Sequence, residues 1–306
     1  MCYPCSNRLK QTLYTVETTS KIKVLVTGAN GQLGSELRTL EANYPQLHFI
    51  FSDIGELDIT NEQEVKAFFD QHKPSFVVNC AAYTAVDKAE DEEEKAYSLN
   101  ALAPKYLAYA AKDAGSRMIH ISTDYVFDGK AFTPYLESSP TSPNSAYGRT
   151  KLKGEEFVLQ SGVGMVIRTA WLYSSFGKNF VKTIASKGKE TDSLRVVFDQ
   201  VGSPTWANDL AKAILAIICR GNESFGPEVF HYTNEGVCSW YDLAVEIIDY
   251  YGFRCKVSAI HSSEYPTPAT RPPYSVLDKS KIKNTYGLVV PHWRKSLKNC
   301  LSTIAP

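Results

Sequence analysis

The chain has 306 residues, which is enough to bury a large core in one large domain or in two smaller ones. Lys plus Arg and Asp plus Glu both total 33, and this balance argues against nucleic acid or an anionic membrane as a partner. No apolar run approaches the roughly 18 residues that a membrane-spanning helix needs.

Residues 1–20 contain no continuous apolar segment of the kind found in secretory signals, and we interpret them as an N-terminal extension, ordered or disordered. The seven cysteines lack the spacing of a disulfide framework. Cys2 and Cys5 form a C-x-x-C pair, but no βαβ pattern surrounds it, which disfavours a redox or zinc role. We expect a protein of a reducing compartment, the cytoplasm.

Strand and helix signals alternate from residue 21 onward. The following apolar runs indicate buried strands: residues 22–26, 47–51, 76–80, 118–122 and 165–168. Helical patterns lie between them, at residues 32–41, 60–72, 91–111 and around Tyr147. Thr60 and Gln63 fit a capping box. Apolar strands separated by helices predict an α/β fold with a doubly wound parallel sheet, the Rossmann type.

Beyond Trp171 the alternation of strand and helix signals becomes less regular. Helices are still predicted at residues 177–187, 207–219, 239–251 and 291–302. We predict a dinucleotide-binding domain at residues 21–170. We predict that residues 171–306 form mostly a smaller C-terminal substrate-binding α/β domain, and that some of their segments return to the core of the dinucleotide-binding domain. The acidic run at residues 91–94 fits the first turn of a helix, where carboxylates are favourable, better than a metal site.

A glycine-rich turn predicts the cofactor site. Gly28, Gly31 and Gly34 follow the first predicted strand and open a helix, whose N-terminus suits a pyrophosphate. Asp53 ends the second strand, where an acid can bind a ribose 2′-hydroxyl, or simply lie on a surface loop. The predicted cofactor-binding residues are Gly28, Asn30, Gly31, Gln32, Leu33, Gly34, Asp53, Asp58, Ile59, Ala81, Ala82, Tyr83, Tyr147 and Lys151.

Three residues have the chemistry of a ketone-reduction site. Tyr147 and Lys151 lie one helical turn apart, so the ammonium, with the positive nicotinamide of an oxidised cofactor, is expected to lower the phenol's pKa. Tyr147 can then protonate a carbonyl oxygen while hydride reaches its carbon. The Thr123 hydroxyl, just past a strand, can hydrogen-bond the developing oxyanion. Each motif also occurs by chance, and their combination favours an NAD(P)H-dependent oxidoreductase.

Longer motifs resemble one family over roughly residues 21 to 300. The motifs lie at residues 31–34, 79–90, 122–127, 168–171, 199–205 and 265–272. They are similar to those of the dTDP-4-dehydrorhamnose reductases, extended short-chain dehydrogenases/reductases. The resemblance implies reduction of the C4 ketone of dTDP-6-deoxy-L-lyxo-4-hexulose to dTDP-L-rhamnose, with NADPH or NADH. It implies Tyr147, Lys151 and Thr123 as catalytic residues.

The resemblance also implies that Thr123, Asp124 and Trp171 contact the dTDP-sugar. Some members dimerise through a magnesium ion held by glutamates; Glu36 matches one such position, but Asn208 stands at another. A homodimer therefore stays open, and we assign no metal ligand. Two alternatives also stay open: another nucleotide-sugar reductase or epimerase, and a non-catalytic NADP-binding regulatory subunit.

Overall fold

A computed structural model describes residues 21–221 and 225–304 of the chain. The Cys2–Cys5 pair and residues 1–20 lie outside the described residues. The strands are β1 Ile22–Thr27, β2 Leu47–Ser52, β3 Phe76–Asn79, β4 Arg117–Thr123, β5 Gly164–Thr169, β6 Leu172–Tyr173, β7 Ser193–Val197, β8 Val201–Gly202, β9 Thr205–Trp206, β10 Val229–His231, β11 Cys238–Ser239, β12 Lys256–Ile260 and β13 Tyr274–Ser275. The α-helices are α1 Gln32–Leu40, α2 Glu62–His72, α3 Glu93–Tyr97, α4 Ala103–Asp113, α5 Ala146–Gln160, α6 Phe180–Glu190, α7 Ala207–Cys219, α8 Trp240–Tyr251, α9 Ser280–Tyr286 and α10 Trp293–Leu301.

Six parallel strands form the main sheet, in the order β2-β1-β3-β4-β5-β10. Helices cover both faces, so the predicted doubly wound parallel sheet is confirmed. The chain runs from β1 to β2 on one side and then crosses to β3 on the other. Ligands bind at such a reversal, beyond the carboxyl ends of the strands.

Alternate side chains of β1 point into two different cores, as the pleat of a strand requires. Val24 and Val26 pack in a cluster with residues of α1 and α7, whereas Leu25 packs in a cluster with residues of α2 and α4. Together the clusters hold both helical layers against the sheet. The carboxyl edge of the sheet stays open for a site.

Two predicted helices differ in detail. α2 begins at Glu62 because the side chain of Asn61 accepts hydrogen bonds from the backbone N–H groups of Gln63 and Glu64. The predicted Thr60 cap is therefore wrong; the Thr60 hydroxyl instead donates to Asp58 at 2.6 Å.

The predicted helix at residues 91–111 consists of three segments. A π-helical turn at Ser98–Leu102 separates α3 from α4. Such turns often occur at functional sites. Here the turn aims Asn100 at the loop after β3, where its side chain accepts from the backbone N–H of Tyr83 at 2.8 Å. Glu93 and Glu94 lie in the first turn of α3, as expected.

Segments beyond residue 171 contribute to the main sheet and also form a third core. β10 pairs with β5, and α7 packs in the same core cluster as α1. The third core joins α6, α8 and α10 beside three short sheets. A domain boundary near residue 171 stays a prediction. Within the described ranges, no helix is long and apolar enough to traverse a bilayer.

Candidate active site

A cavity of about 630 Å³ lies at the carboxyl ends of β1, β2 and β3. Ten of the predicted cofactor residues line it: Gly28, Asn30, Gly31, Gln32, Leu33, Asp53, Asp58, Ile59, Ala81 and Ala82. Four others do not line it: Tyr147 and Lys151 line an adjoining cavity, and Gly34 and Tyr83 line neither. Gly34 packs on Ala29, where an added Cβ would come within 2.6 Å of the Ala29 Cα. The Tyr83 hydroxyl donates to Glu92 at 2.8 Å.

The glycine turn fits a dinucleotide. Gly28 has a φ of +66°, and a Cβ there would lie 2.6 Å from the backbone nitrogen of Ala81. Only glycine suits both conditions. Gly31 caps α1, so the positive end of that helix faces the cavity, which suits a pyrophosphate.

The Asp53 carboxylate connects β2 to the glycine turn. One oxygen accepts from the backbone N–H of Asn30 at 2.9 Å, and the other accepts from that of Ile54 at 2.9 Å. Both oxygens keep further acceptor capacity. Asp53 therefore fixes the turn and also lines the cavity. Its carboxylate can still accept hydrogen bonds from a ribose.

A second cavity of about 410 Å³ adjoins the first, and Gln32, Cys80 and Ala82 line both. All the predicted catalytic and substrate residues line it: Thr123, Asp124, Tyr147, Lys151 and Trp171. Its walls also include residues to which the sequence assigned no role: Tyr125, Gln200, Trp240, Arg271 and Ser275. The Arg271 guanidinium donates to Asp87 at 2.7 Å.

Local structure positions the three predicted catalytic residues. Thr123 is the last residue of β4. Its hydroxyl oxygen accepts a hydrogen bond from the backbone N–H of Tyr125 and so caps the short 3-10 turn at Asp124–Val126. Ser145 caps α5, which places Tyr147 in the first turn and Lys151 in the second. The capped helix and the strand end thus meet at one cavity.

Burial raises the pKa of Tyr147, and the carboxyl of Asp124 acts in the same direction, while a hydrogen bond with Thr123 opposes the rise. The residues alone therefore do the opposite of what the Tyr-x-x-x-Lys spacing predicted, because the effect of burial outweighs the hydrogen bond with Thr123. A raised pKa keeps Tyr147 protonated at neutral pH, which is the state that a proton donor needs.

Lys151 lies fully buried beneath the cavity. Its Nζ donates to the carbonyl of Ile121 at 2.6 Å and lies 3.2 Å from Nε2 of His120. Burial lowers its pKa to about 8, although Glu155 and Cys80 act in the opposite direction. Sequence reasoning missed His120, which stood within an apolar run; only strand pairing reveals its place.

Trp171 adopts an uncommon backbone conformation beside the second cavity. Its φ is +50°, in the left-handed region that side chains rarely occupy. Its indole stacks on that of Trp240, with ring centroids 3.6 Å apart and planes 7° apart. An added Cβ on Gly202 would lie 2.7 Å from the indole. The surroundings therefore fix the ring in one orientation, and strain at such a position is typical of functional sites.

Glu36 lies apart from both cavities and is 3% exposed. One carboxylate oxygen accepts from the Ser174 hydroxyl at 2.6 Å, and the other accepts from the Asn208 amide at 2.9 Å. Neutral donors therefore use both oxygens, which does not fit a magnesium ligand shared between two subunits. Within residues 21–221 and 225–304, no cluster of His, Cys, Asp or Glu is arranged to hold a metal ion.

Comparison with known proteins agrees with this geometry. Residues 22–305 match the family described as the RmlD substrate binding domain. A dTDP-4-dehydrorhamnose reductase of Aggregatibacter actinomycetemcomitans is 39% identical over 286 residues, which cover 90% of this chain and 97% of that protein. A probable dTDP-4,6-dihydroxy-2-methyloxan-3-one 4-ketoreductase of Streptomyces antibioticus is 42% identical over 289 residues, covering 92% and 95%.

A solved structure has the same fold over nearly its whole length. The crystal structure of dTDP-4-dehydrorhamnose reductase from Bacillus anthracis, in complex with NADP, is 36% identical and has a TM-score of 0.88. The match covers 92% of this chain and 99% of that one. These matches confirm the resemblance that the sequence motifs indicated. The chain belongs to the RmlD substrate-binding family, the family of the dTDP-4-dehydrorhamnose reductases.

Proposed function

We propose that this protein reduces the C4 ketone of dTDP-6-deoxy-L-lyxo-4-hexulose to dTDP-L-rhamnose, with NADPH or NADH as the reductant. The observation that carries the proposal is the meeting of Thr123, Tyr147 and Lys151 in one cavity that adjoins the glycine-turn cavity. The nicotinamide ring, when bound, supplies hydride to C4. Tyr147 supplies the proton that turns the carbonyl oxygen into a hydroxyl.

The remaining polar groups fit a sugar nucleotide. Thr123 is placed to orient the carbonyl oxygen toward Tyr147. Asp124 lines the same cavity, and the family resemblance implies that its carboxylate accepts a hydrogen bond from a sugar hydroxyl. Trp171 offers an apolar face for the deoxysugar. Gly28, Gly31, Gln32 and Asp53 would hold the cofactor.

The test is oxidation of NADPH and of NADH by the purified protein with this 4-keto sugar nucleotide, with the product identified as dTDP-L-rhamnose. Turnover only with a different dTDP-4-keto sugar would favour a related ketoreductase, the second candidate that the Streptomyces relative suggests. Cofactor binding without turnover of any such sugar would favour the regulatory alternative. A homodimer and a cytoplasmic location remain predictions from the sequence and the family resemblance.

A further inference from the structure

A row of buried polar side chains crosses the sheet beneath the second cavity. Strand pairing places Thr27 of β1 beside Asn79 of β3, and Asn79 beside His120 of β4. Asn79 and His120 have no exposed surface, and Thr27 is 1% exposed. The Asn79 amide nitrogen lies 3.0 Å from Nδ1 of His120. On the other side of the imidazole, Nε2 lies 3.2 Å from Nζ of Lys151.

The direction of each hydrogen bond in this row is fixed by a backbone group. The backbone N–H of Ala81 donates to Oδ1 of Asn79 at 3.1 Å, and the hydroxyl of Thr27 donates to the same oxygen at 2.7 Å. A backbone N–H can only donate, so the amide NH₂ of Asn79 must face His120 and donate to Nδ1. A neutral imidazole carries one proton, which must then lie on Nε2.

His120 is held in this neutral form. Burial lowers its pKa well below the ordinary value, and the neighbouring Lys151 acts in the same direction. Its Nε2–H is therefore directed at Nζ of Lys151. An ammonium group has three donors and no lone pair, so it cannot accept this hydrogen bond, whereas a neutral amine can.

We propose that His120 is a positioning residue: it makes the position of the Lys151 side chain depend on whether the lysine amine is protonated. Its Nε2–H donates to the lone pair of the neutral amine, which in turn donates to the Ile121 carbonyl. When the amine takes up a proton, two donors face each other, and the ammonium must leave the imidazole. The cavity that Lys151 shares with Tyr147 is the open space beside it.

The other groups around Lys151 are compatible with a neutral amine. The titratable groups that face it are Cys80 after β3, Tyr147 and Glu155 on its own helix, and His120. Burial raises the pKa of the Cys80 thiol to about 12, so this group is uncharged. The Glu155 carboxylate is already paired with Arg168 at 2.6 Å. Burial lowers the pKa of Lys151 to about 8, so the uncharged amine prevails above that pH and the ammonium below it.

This inference rests on the proposed function for the importance of Lys151, but its test needs no turnover. The two can therefore fail separately. In a reduction, an ammonium released toward Tyr147 would stabilise the phenolate that remains after the proton has left. His120 would thus set the pH at which the lysine becomes available for that task.

The test is ¹⁵N NMR of the full cofactor-free protein labelled at histidine, which reports which ring nitrogen carries the proton. His231 is an internal reference of the opposite type: its Nδ1 lies 3.1 Å from the carbonyl of Tyr135, which can only accept. The variants H120Q and H231Q each remove one signal and so assign them. We expect the Nε2–H form for His120 and the Nδ1–H form for His231.

A further variant is designed to reverse the hydrogen-bond directions between Asn79, His120 and Lys151. Asn79→Asp removes the donor that faces Nδ1, so His120 should switch to the Nδ1–H form and accept from a Lys151 ammonium. In ¹³C spectra of lysine-labelled protein, the Lys151 titration midpoint should then rise above that of the wild type. A wild-type His120 in the Nδ1–H form would overturn the proposal, whether or not the variant folds. So would a folded N79D protein that keeps the Nε2–H form.

Discussion

Thr123 donates its hydroxyl to Asp124 at 3.1 Å, and both side chains are almost completely buried at the wall of the second cavity. Burial raises the pKa of Asp124 from 3.8 to about 6, and hydrogen bonds with Ser275 and Thr123 limit the rise. A carboxylate is thus kept at a site where its charge is unfavourable. Such a cost is typical of a group retained for ligand binding.

The first prediction follows from this pKa. Because the folded state holds the Asp124 proton more tightly than the unfolded state, the stability cost is absent below the unfolded pKa of 3.8 and grows as pH rises through about 6. A shift of that size corresponds to about 3 kcal/mol. We expect Asp124→Asn to raise the free energy of unfolding at neutral pH by up to that amount, and to have little effect in acid.

Urea unfolding at several pH values measures this difference. Asp192→Asn, at an exposed position, is the matched control and should show no such pH-dependent gain. If Asp124→Asn is equally stable relative to the wild type in acid and at neutral pH, the carboxyl does not carry the raised pKa. A loss of kcat/KM in the same variant would support its predicted contact with the sugar.

The second prediction concerns the proton donor. Tyr147→Phe keeps the ring and its edge-to-face contact with Tyr125, at a centroid distance of 5.4 Å, but removes the transferable proton. We expect turnover to fall by roughly 10²–10⁴-fold while cofactor affinity is retained. Stopped-flow turnover and fluorescence titration with NADPH measure the two effects. Tyr125→Phe is the control and should lose much less, and near-normal turnover in Tyr147→Phe would reject Tyr147 as the acid.

The third prediction concerns cofactor choice. Asp53→Ala removes the acceptor for the Asn30 backbone N–H. This change should disturb the glycine turn and so lower the affinity for both NADH and NADPH. It also removes a partner for a ribose 2′-hydroxyl and a repulsion toward a 2′-phosphate. The ratio of NADH affinity to NADPH affinity should therefore fall. Calorimetric titration with each cofactor gives the ratio, and an unchanged ratio would show that Asp53 only supports the turn.

The sequence predicted the main sheet well because its strands are continuous apolar runs. All five predicted strands lie within two residues of β1 to β5 at each end, and the helix predicted at residues 207–219 has the bounds of α7. The short strands β7 and β12 were missed, since half-exposed runs of five residues carry little periodic signal.

The site was predictable only as far as local motifs reach. The spacing of Thr123, Tyr147 and Lys151, and their positions at a strand end or on a helix, singled out three residues that the structure brings to one cavity. Their catalytic roles stay predictions. The contact between His120 and Lys151 depends on which strands are neighbours and in what register, which no local pattern specifies. The stack of Trp240 on Trp171 likewise joins two elements far apart in the chain.

The last prediction tests whether Trp171 contacts the substrate or only supports the fold. Trp171 is half-buried and lines the second cavity, whereas Trp293 is 2% exposed in the core of α6, α8 and α10. Trp171→Ala should raise KM and lower kcat/KM for the sugar nucleotide, with cofactor affinity unchanged. Its stability loss should stay below the roughly 3–5 kcal/mol typical of a fully buried tryptophan, because the side chain is only half-buried.

Trp293→Ala is the matched control, with the opposite pattern: a large stability loss, and a nearly normal KM when assayed well below its melting temperature. Thermal unfolding and steady-state kinetics on both variants give the comparison. If Trp171→Ala loses as much stability as Trp293→Ala and has a normal KM in the cold, Trp171 is a core residue. The strained backbone at Trp171 would then serve packing against Trp240 and Gly202, and the substrate would have to be recognised by other residues of the cavity.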